Sequence, residues 1–188
     1  MKKTLGYVVL VIVAALAFAA CGSNSSSSSS AGATFDDADV TFTQSMIPHH
    51  QQAVEMAKMA QKHASTPEVK QLADKIEAAQ GPEITTMTGW LKDWGKQMPS
   101  DSMSGMDHSS GTTTGMMSDA DMKKLDAATG PAFNKMFLSM MISHHSGAIE
   151  MAKTEQKDGK NADAVALAKK IEAAQMTEIA EMKKLLNA

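Results

Sequence analysis

Met46-Ile47-Pro48-His49-His50 returns, at a constant offset of 95 residues, as Met141-Ile142-Ser143-His144-His145. The match spreads outward in both directions. Ala53-Val54-Glu55-Met56-Ala57-Lys58 aligns with Ala148-Ile149-Glu150-Met151-Ala152-Lys153. Further on, Leu72-Ala73-Asp74-Lys75-Ile76-Glu77-Ala78-Ala79-Gln80 aligns with Leu167-Ala168-Lys169-Lys170-Ile171-Glu172-Ala173-Ala174-Gln175. Without a gap, Phe42 to Asp93 lies on Phe137 to Ala188 with 24 of 52 positions identical, so the chain is an internal duplication.

Each copy reads as a helical hairpin. Ala, Leu, Met, Lys, Glu and Gln dominate, and these are good helix formers. Aromatic residues, at 4%, are too few for an aromatic-paired sandwich or barrel. A first helix is predicted over about Asp36 to His63. Ser65-Thr66-Pro67-Glu68 gives a break and a restart, with a cap candidate before a proline at the first helical position. The second helix runs to about Trp94, with Leu72, Ile76, Ala79, Glu83 and Met87 recurring at helical spacing. In the second copy Asp158-Gly159-Lys160-Asn161 is the turn, Gly159 suiting the position just past a helix end. Ser118 and Asp121 open a further segment that Gly130-Pro131 interrupts. The expected fold is all-α, a four-helix bundle of two hairpins over residues 36–188, divided as 36–95 and 118–188. Residues 96–117, rich in Ser, Gly, Thr and Met, are expected to form a mobile loop between them.

The N-terminus reads as an address. Met1-Lys2-Lys3 precedes an apolar run from Leu5 to Ala20, short for a membrane span and typical of a secretory leader over residues 1–20. The run ends in Ala19-Ala20-Cys21-Gly22, which resembles a bacterial lipoprotein signal with cleavage before Cys21 and lipid attached to it. Residues 21–35, with six consecutive serines at 25–30, form a flexible tether. The expected location is extracytoplasmic, anchored by lipid to a bacterial membrane. Loss of Lys2 and Lys3 takes the net charge from −3 to −5. Every cation is Lys and the balance is acidic, which argues against nucleic acid as a partner.

The chemistry rests on 17 Met and 6 His beside a single Cys. One Cys excludes a disulfide framework and a Cys-rich metal site. Met46 lies three and four residues before His49 and His50, spacings that share a helix face, and Met56 follows two turns after His49. Met141, His144, His145 and Met151 repeat the arrangement, with Met136 and Met140 nearby. Thioether plus imidazole selects Cu(I), and Ag(I) by the same softness, while imidazole also accepts Cu(II). Zinc prefers thiolate, imidazole and carboxylate together, and calcium and magnesium need oxygen ligands at a spacing absent here. The primary metal ligands expected are therefore Met46, His49, His50, Met56, Met141, His144, His145 and Met151. Secondary candidates are Met59, His63, Met140, and Met103, Met106, His108, Met116 and Met117 in the connecting segment. Glu55 and Glu150 are candidates to orient the histidines from behind. Pro48 removes one helical amide and frees the carbonyl of Gln44, which would kink the first helix beside its His pair. Met stripes also fill cores, and Met87, Met176 and Met182 are read that way. His63, opposite Asp158 in the other copy, has an equally good reading as a structural residue.

The two Met-x-x-His-His segments, with Glu-Met-Ala after each and the Leu-Ala-x-Lys-Ile-x-x-x-Gln stretch beyond, resemble domain-of-unknown-function family 305 over about Asp36 to Ala188. The resemblance implies an exported, ferritin-like four-helix bundle, with copper binding and copper resistance among its members. It places the family motif on Met46, His49, His50 and Met56 and on Met141, His144, His145 and Met151. The expected function is an extracytoplasmic lipoprotein that sequesters or delivers copper, with the metal ion, the membrane, and a second copy or a copper-exchange protein as partners. Two other readings stay open. One is a surface lipoprotein with a structural or interaction role and no metal. The other is a ferritin-like metal-dependent oxidase, although no Glu-x-x-His occurs in the chain.

Overall fold

The computed structural model describes residues 34–99 and 114–188. Among them are five helices and no strand: α1 (Asp37–His63), α2 (Pro67–Asp93), α3 (Asp119–Ala127), α4 (Gly130–Asp158) and α5 (Ala162–Leu186). The all-α expectation holds. The leader, Cys21 and most of the serine tether lie outside the described residues, as do Met103, Met106 and His108.

Local chemistry sets the helix ends. Asp36 caps α1, accepting from the amide of Ala38 at 2.9 Å, while Asp39 reaches back to the Asp36 amide at 2.6 Å. Ser118 caps α3 and Asn161 caps α5 through the amides of Asp163 and Ala164. At α2 the cap works differently from expectation. Pro67 opens the helix, but the Thr66 side chain makes no cap hydrogen bond and instead accepts from Asn134 Nδ2 on α4 at 3.1 Å. Asn134 also accepts from the Ser65 amide. Its counterpart 95 residues earlier, Asp39, accepts from the amides of Lys160 and Asn161 at 3.1 and 2.8 Å. Each copy thus uses the start of its first helix to hold the other copy's turn. Helix α1 continues through Pro48 without a break.

Helix α1 packs on α2, α4 packs on α5, and α1 against α4 joins the two hairpins. The apolar core falls into two clusters. One contains Ala53, Met56, Ala57, Leu72, Ile76, Phe133, Phe137, Met141 and Met182. The other contains Val40, Phe42, Met46, Ile47, Met87, Leu91, Ala148, Ala152 and Ile171. Helices α1 and α4 therefore run in opposite directions across their contact, since the start of each sits with the middle of the other. On all four long helices the buried side chains between the two clusters are polar.

Candidate metal centre

The polar residues form a waist across the bundle. Helix α1 supplies His49 and His50, α2 Gln80 and Glu83, α4 His144 and His145, and α5 Gln175 and Glu178. Each has its identical counterpart 95 residues away. All four histidines are fully buried, and both glutamines nearly so. Helix α1 presents His49 to α4 and His50 to α2, because neighbouring side chains on a helix diverge by about 100°. Helix α4 does the same with His144 and His145. The rings of His49 and His144 meet across the hairpin boundary, 3.7 Å between centroids and 37° between planes. The outer pair turns to carboxylates instead. His50 Nε2 lies 2.8 Å from Glu83 Oε2, and His145 Nε2 lies 2.6 Å from Glu178 Oε2.

Six ring nitrogens in this waist have no hydrogen-bond partner among the described residues: both of His49, both of His144, and Nδ1 of His50 and of His145. Buried polar atoms are normally paired, and an unpaired one costs roughly 1–3 kcal/mol. A layer of such atoms, repeated in both copies, is therefore a strong departure from ordinary core construction. Burial, and then the neighbouring His50 and His145, push His49 down to about 3. Burial, and then His49 and His145, hold His144 well below the usual histidine range. Both rings are thus neutral at physiological pH, the form that ligates metals.

The methionines expected beside each His pair divide between the two sides of the waist. Met46 is fully buried in one core cluster with Met87, and Met151 borders that cluster. Met141 and Met56 are fully buried in the other with Met182. Each thioether group therefore combines residues of both copies, and Met46 and Met56 do not share a site. Ten residues along α1 already place Met46 and Met56 about 15 Å apart, and the antiparallel crossing of α1 and α4 brings each to a thioether of the other copy.

Glu55 and Glu150 do not stand behind the histidines: both are exposed, and Glu150 meets Lys153 at 3.3 Å. Glu83 and Glu178 occupy that position. The signal that could have found them was present, a carboxylate inside an otherwise apolar stripe, identical in both copies. Met87 and Met182, read as core filler, are core residues that also sit one turn from these glutamates, whereas Met176, read the same way, is 57% exposed on the outer face of α5.

The secondary candidates scatter. Met59 and Met140 are half-buried at the edge of the cluster containing Met56. His63 lies away from the waist, with its Nε2 3.3 Å from Asp126 and its ring 5.6 Å from Phe133. Met116 and Met117 are half-buried. The Gln52 side chain binds Met117 twice, accepting from its amide at 2.7 Å and donating to its carbonyl at 2.9 Å. Gly115, with φ +89°, crosses α4 so closely that a Cβ there would lie 2.9 Å from the carbonyl oxygen of His144.

The donor set suits a soft or borderline metal, with neutral imidazoles flanked by thioethers and no thiolate. Among the described residues, no three His, Cys, Asp or Glu side chains already surround one point as a finished chelate. The central rings lie against each other and the outer rings face glutamates, so a metal here would be gripped by rotating rings or by adding thioethers.

Comparison with known proteins follows the same lines. A family model described as "Domain of unknown function (DUF305)" matches residues 39–186. A DUF305 protein from Streptomyces coelicolor is 33% identical, with a TM-score of 0.72 over 80% of this chain and 92% of its own. A DUF305 fragment from Deinococcus radiodurans is 27% identical, with a TM-score of 0.72 over 81% of this chain and 97% of its own. CopM in its Cu(II)-bound form is 34% identical, with a TM-score of 0.69 over 79% of this chain and 95% of its own. CopM structures in Cu(I)-bound and Ag-bound forms also match. No curated protein sequence matches.

Proposed function

The chain belongs to the DUF305 family, and from that premise we propose that it is an extracytoplasmic copper-binding lipoprotein that sequesters or delivers the metal. The observation that carries this reading is the buried four-histidine waist, with six ring nitrogens that the protein itself leaves without partners. His49, His50, His144 and His145 would be the imidazole donors, and Met46 with Met151 and Met56 with Met141 the thioether donors on either side. Cu(I) suits the thioether-bearing sides, Cu(II) suits the imidazoles, and Ag(I) follows Cu(I). The similarity to CopM, solved with Cu(I), Cu(II) and silver, supports the same choice. The proposed role is binding, with imidazole and thioether side chains as the ligands. Lipid on Cys21 and the serine tether would hold the bundle at a membrane surface.

The test is anaerobic competition of the full chain with a chromogenic Cu(I) chelator, beside a variant carrying His49→Ala, His50→Ala, His144→Ala and His145→Ala. Tight binding by the wild type, lost in the variant, is expected. Binding that survives in the variant moves the site to the thioethers or the 96–117 segment. No competition by either protein removes copper as the ligand.

A further inference from the structure

Resting on the reading of the waist as a copper site, we propose that Glu83 and Glu178 are positioning residues. They hold His50 and His145 in the Nε2–H tautomer and so present Nδ1 of each ring as the donor atom.

The argument starts from register. In each hairpin the two helices run antiparallel, and the alignment that seats Met46 with Met87 in one core cluster brings His50 to Glu83 one turn along. The same register in the second hairpin seats Met141 with Met182 and brings His145 to Glu178. An ionised carboxylate can only accept, so the nitrogen it faces carries the hydrogen. The glutamate side chains keep an edge in solvent, 20% and 15% exposed, while their histidines are fully buried. The remaining nitrogen, Nδ1, is buried without a partner in both rings. A hydrogen on Nδ1 would be a buried N–H with no acceptor among the described residues. A bare lone pair in the same place is the cheaper state. Ring orientation and tautomer are therefore both set before a metal arrives. A carboxylate behind an imidazole also raises its basicity as a ligand. A merely structural ion pair across the hairpin would have no need of a free, inward Nδ1.

The test uses the apo full chain labelled with ¹⁵N at histidine, and its Glu83→Ala/Glu178→Ala and Glu83→Gln/Glu178→Gln variants. Long-range ¹H–¹⁵N spectra of the wild type are expected to place the hydrogen of His50 and His145 on Nε2, with Nδ1 unprotonated. The alanine pair should lose that preference and bind Cu(I) about 10- to 100-fold more weakly. The glutamine pair keeps an acceptor and should keep the tautomer, recovering most of the affinity. A hydrogen on Nδ1 of either ring in the wild type overturns the proposal. So does an alanine pair that melts like the wild type, keeps the Nε2–H tautomer and binds Cu(I) equally well. If the wild type binds no Cu(I), the copper reading falls alone, and the tautomer spectrum still decides what the glutamates do.

Discussion

At the residue scale the unusual feature is how many buried polar atoms the protein tolerates, and not all of them are in the waist. Glu155 on α4 is fully buried beside Asp39, and both its carboxylate oxygens lack a hydrogen-bond partner. Burial, and then the adjacent Asp39, push it up to about 8. Burial also raises Asp39, but the amides of Asp36 and Asn161 and the Glu155 carboxyl outweigh it, and Asp39 ends below its usual range. Of the two carboxyls, Glu155 is therefore the one that keeps its proton and Asp39 the one that gives it up. Between the unfolded value of 4.5 and about 8 the folded chain binds this proton and the unfolded chain does not, so stability falls as pH rises through that window. The lowered values of His49 and His144 act oppositely and lower, their contribution being complete above 6.5 and lost as pH falls toward 3. Between pH 6.5 and 8 the glutamate acts without them. There Glu155→Gln is expected to flatten the decline of urea-unfolding stability with pH, removing up to ~1.4 kcal/mol per pH unit. A variant with the wild-type slope would show that Glu155 is ionised in the fold.

At the scale of elements, equivalent positions of the duplicate have been put to different uses. Gln52 on α1 binds the Met117 main chain, and its counterpart Gly147 on α4 leaves room for the same segment. A Cβ at Gly147 would lie 1.8 Å from the carbonyl oxygen of Thr114. Gly147→Ala is expected to lift residues 114–117 off α4, costing about 1–3 kcal/mol in denaturant unfolding. Hydrogen exchange at the Met117 amide should speed up with it, and an unchanged amide would mean that the segment is held by Gln52 alone. Gly159 has a similar steric reason. Its φ is −73°, so the left-handed conformation expected at a helix end is not what requires glycine. A Cβ there would sit 2.4 Å from Glu155 Oε1. Hairpins and turns were legible in the sequence because they are local: a proline at N1, Ser118 opening α3, a periodic stripe. The docking of residues 114–117 was not, because it depends on which face of α4 lies opposite Gln52.

At the scale of the whole molecule, duplication builds one waist between two apolar ends, and neither hairpin contains it alone. The contact of His49 with His144 crosses the hairpin boundary. Metal bound there would tie the halves together and act on global stability. At a free Cu(I) concentration about 100-fold above Kd, linkage adds ~2.7 kcal/mol. For a domain of this size that raises Tm by roughly 5–10 °C. Calorimetry is expected to show that rise in the wild type and its loss in His49→Ala/His144→Ala. A rise of equal size in the variant would place the metal away from the central pair.

By itself the sequence determined the helical class, the duplication, the hairpin turns and the His and Met residues worth suspecting. Those follow from periodicity, from local capping chemistry and from a repeat of 24 identities. Only the tertiary structure decided how those residues combine. The antiparallel crossing of α1 and α4 puts Met46 with Met151 and Met56 with Met141, on opposite sides of the waist. Register within each hairpin chooses Glu83 and Glu178, not Glu55 and Glu150, to face the histidines. Both choices depend on how two helices are placed against each other, which a periodic pattern along one chain does not specify.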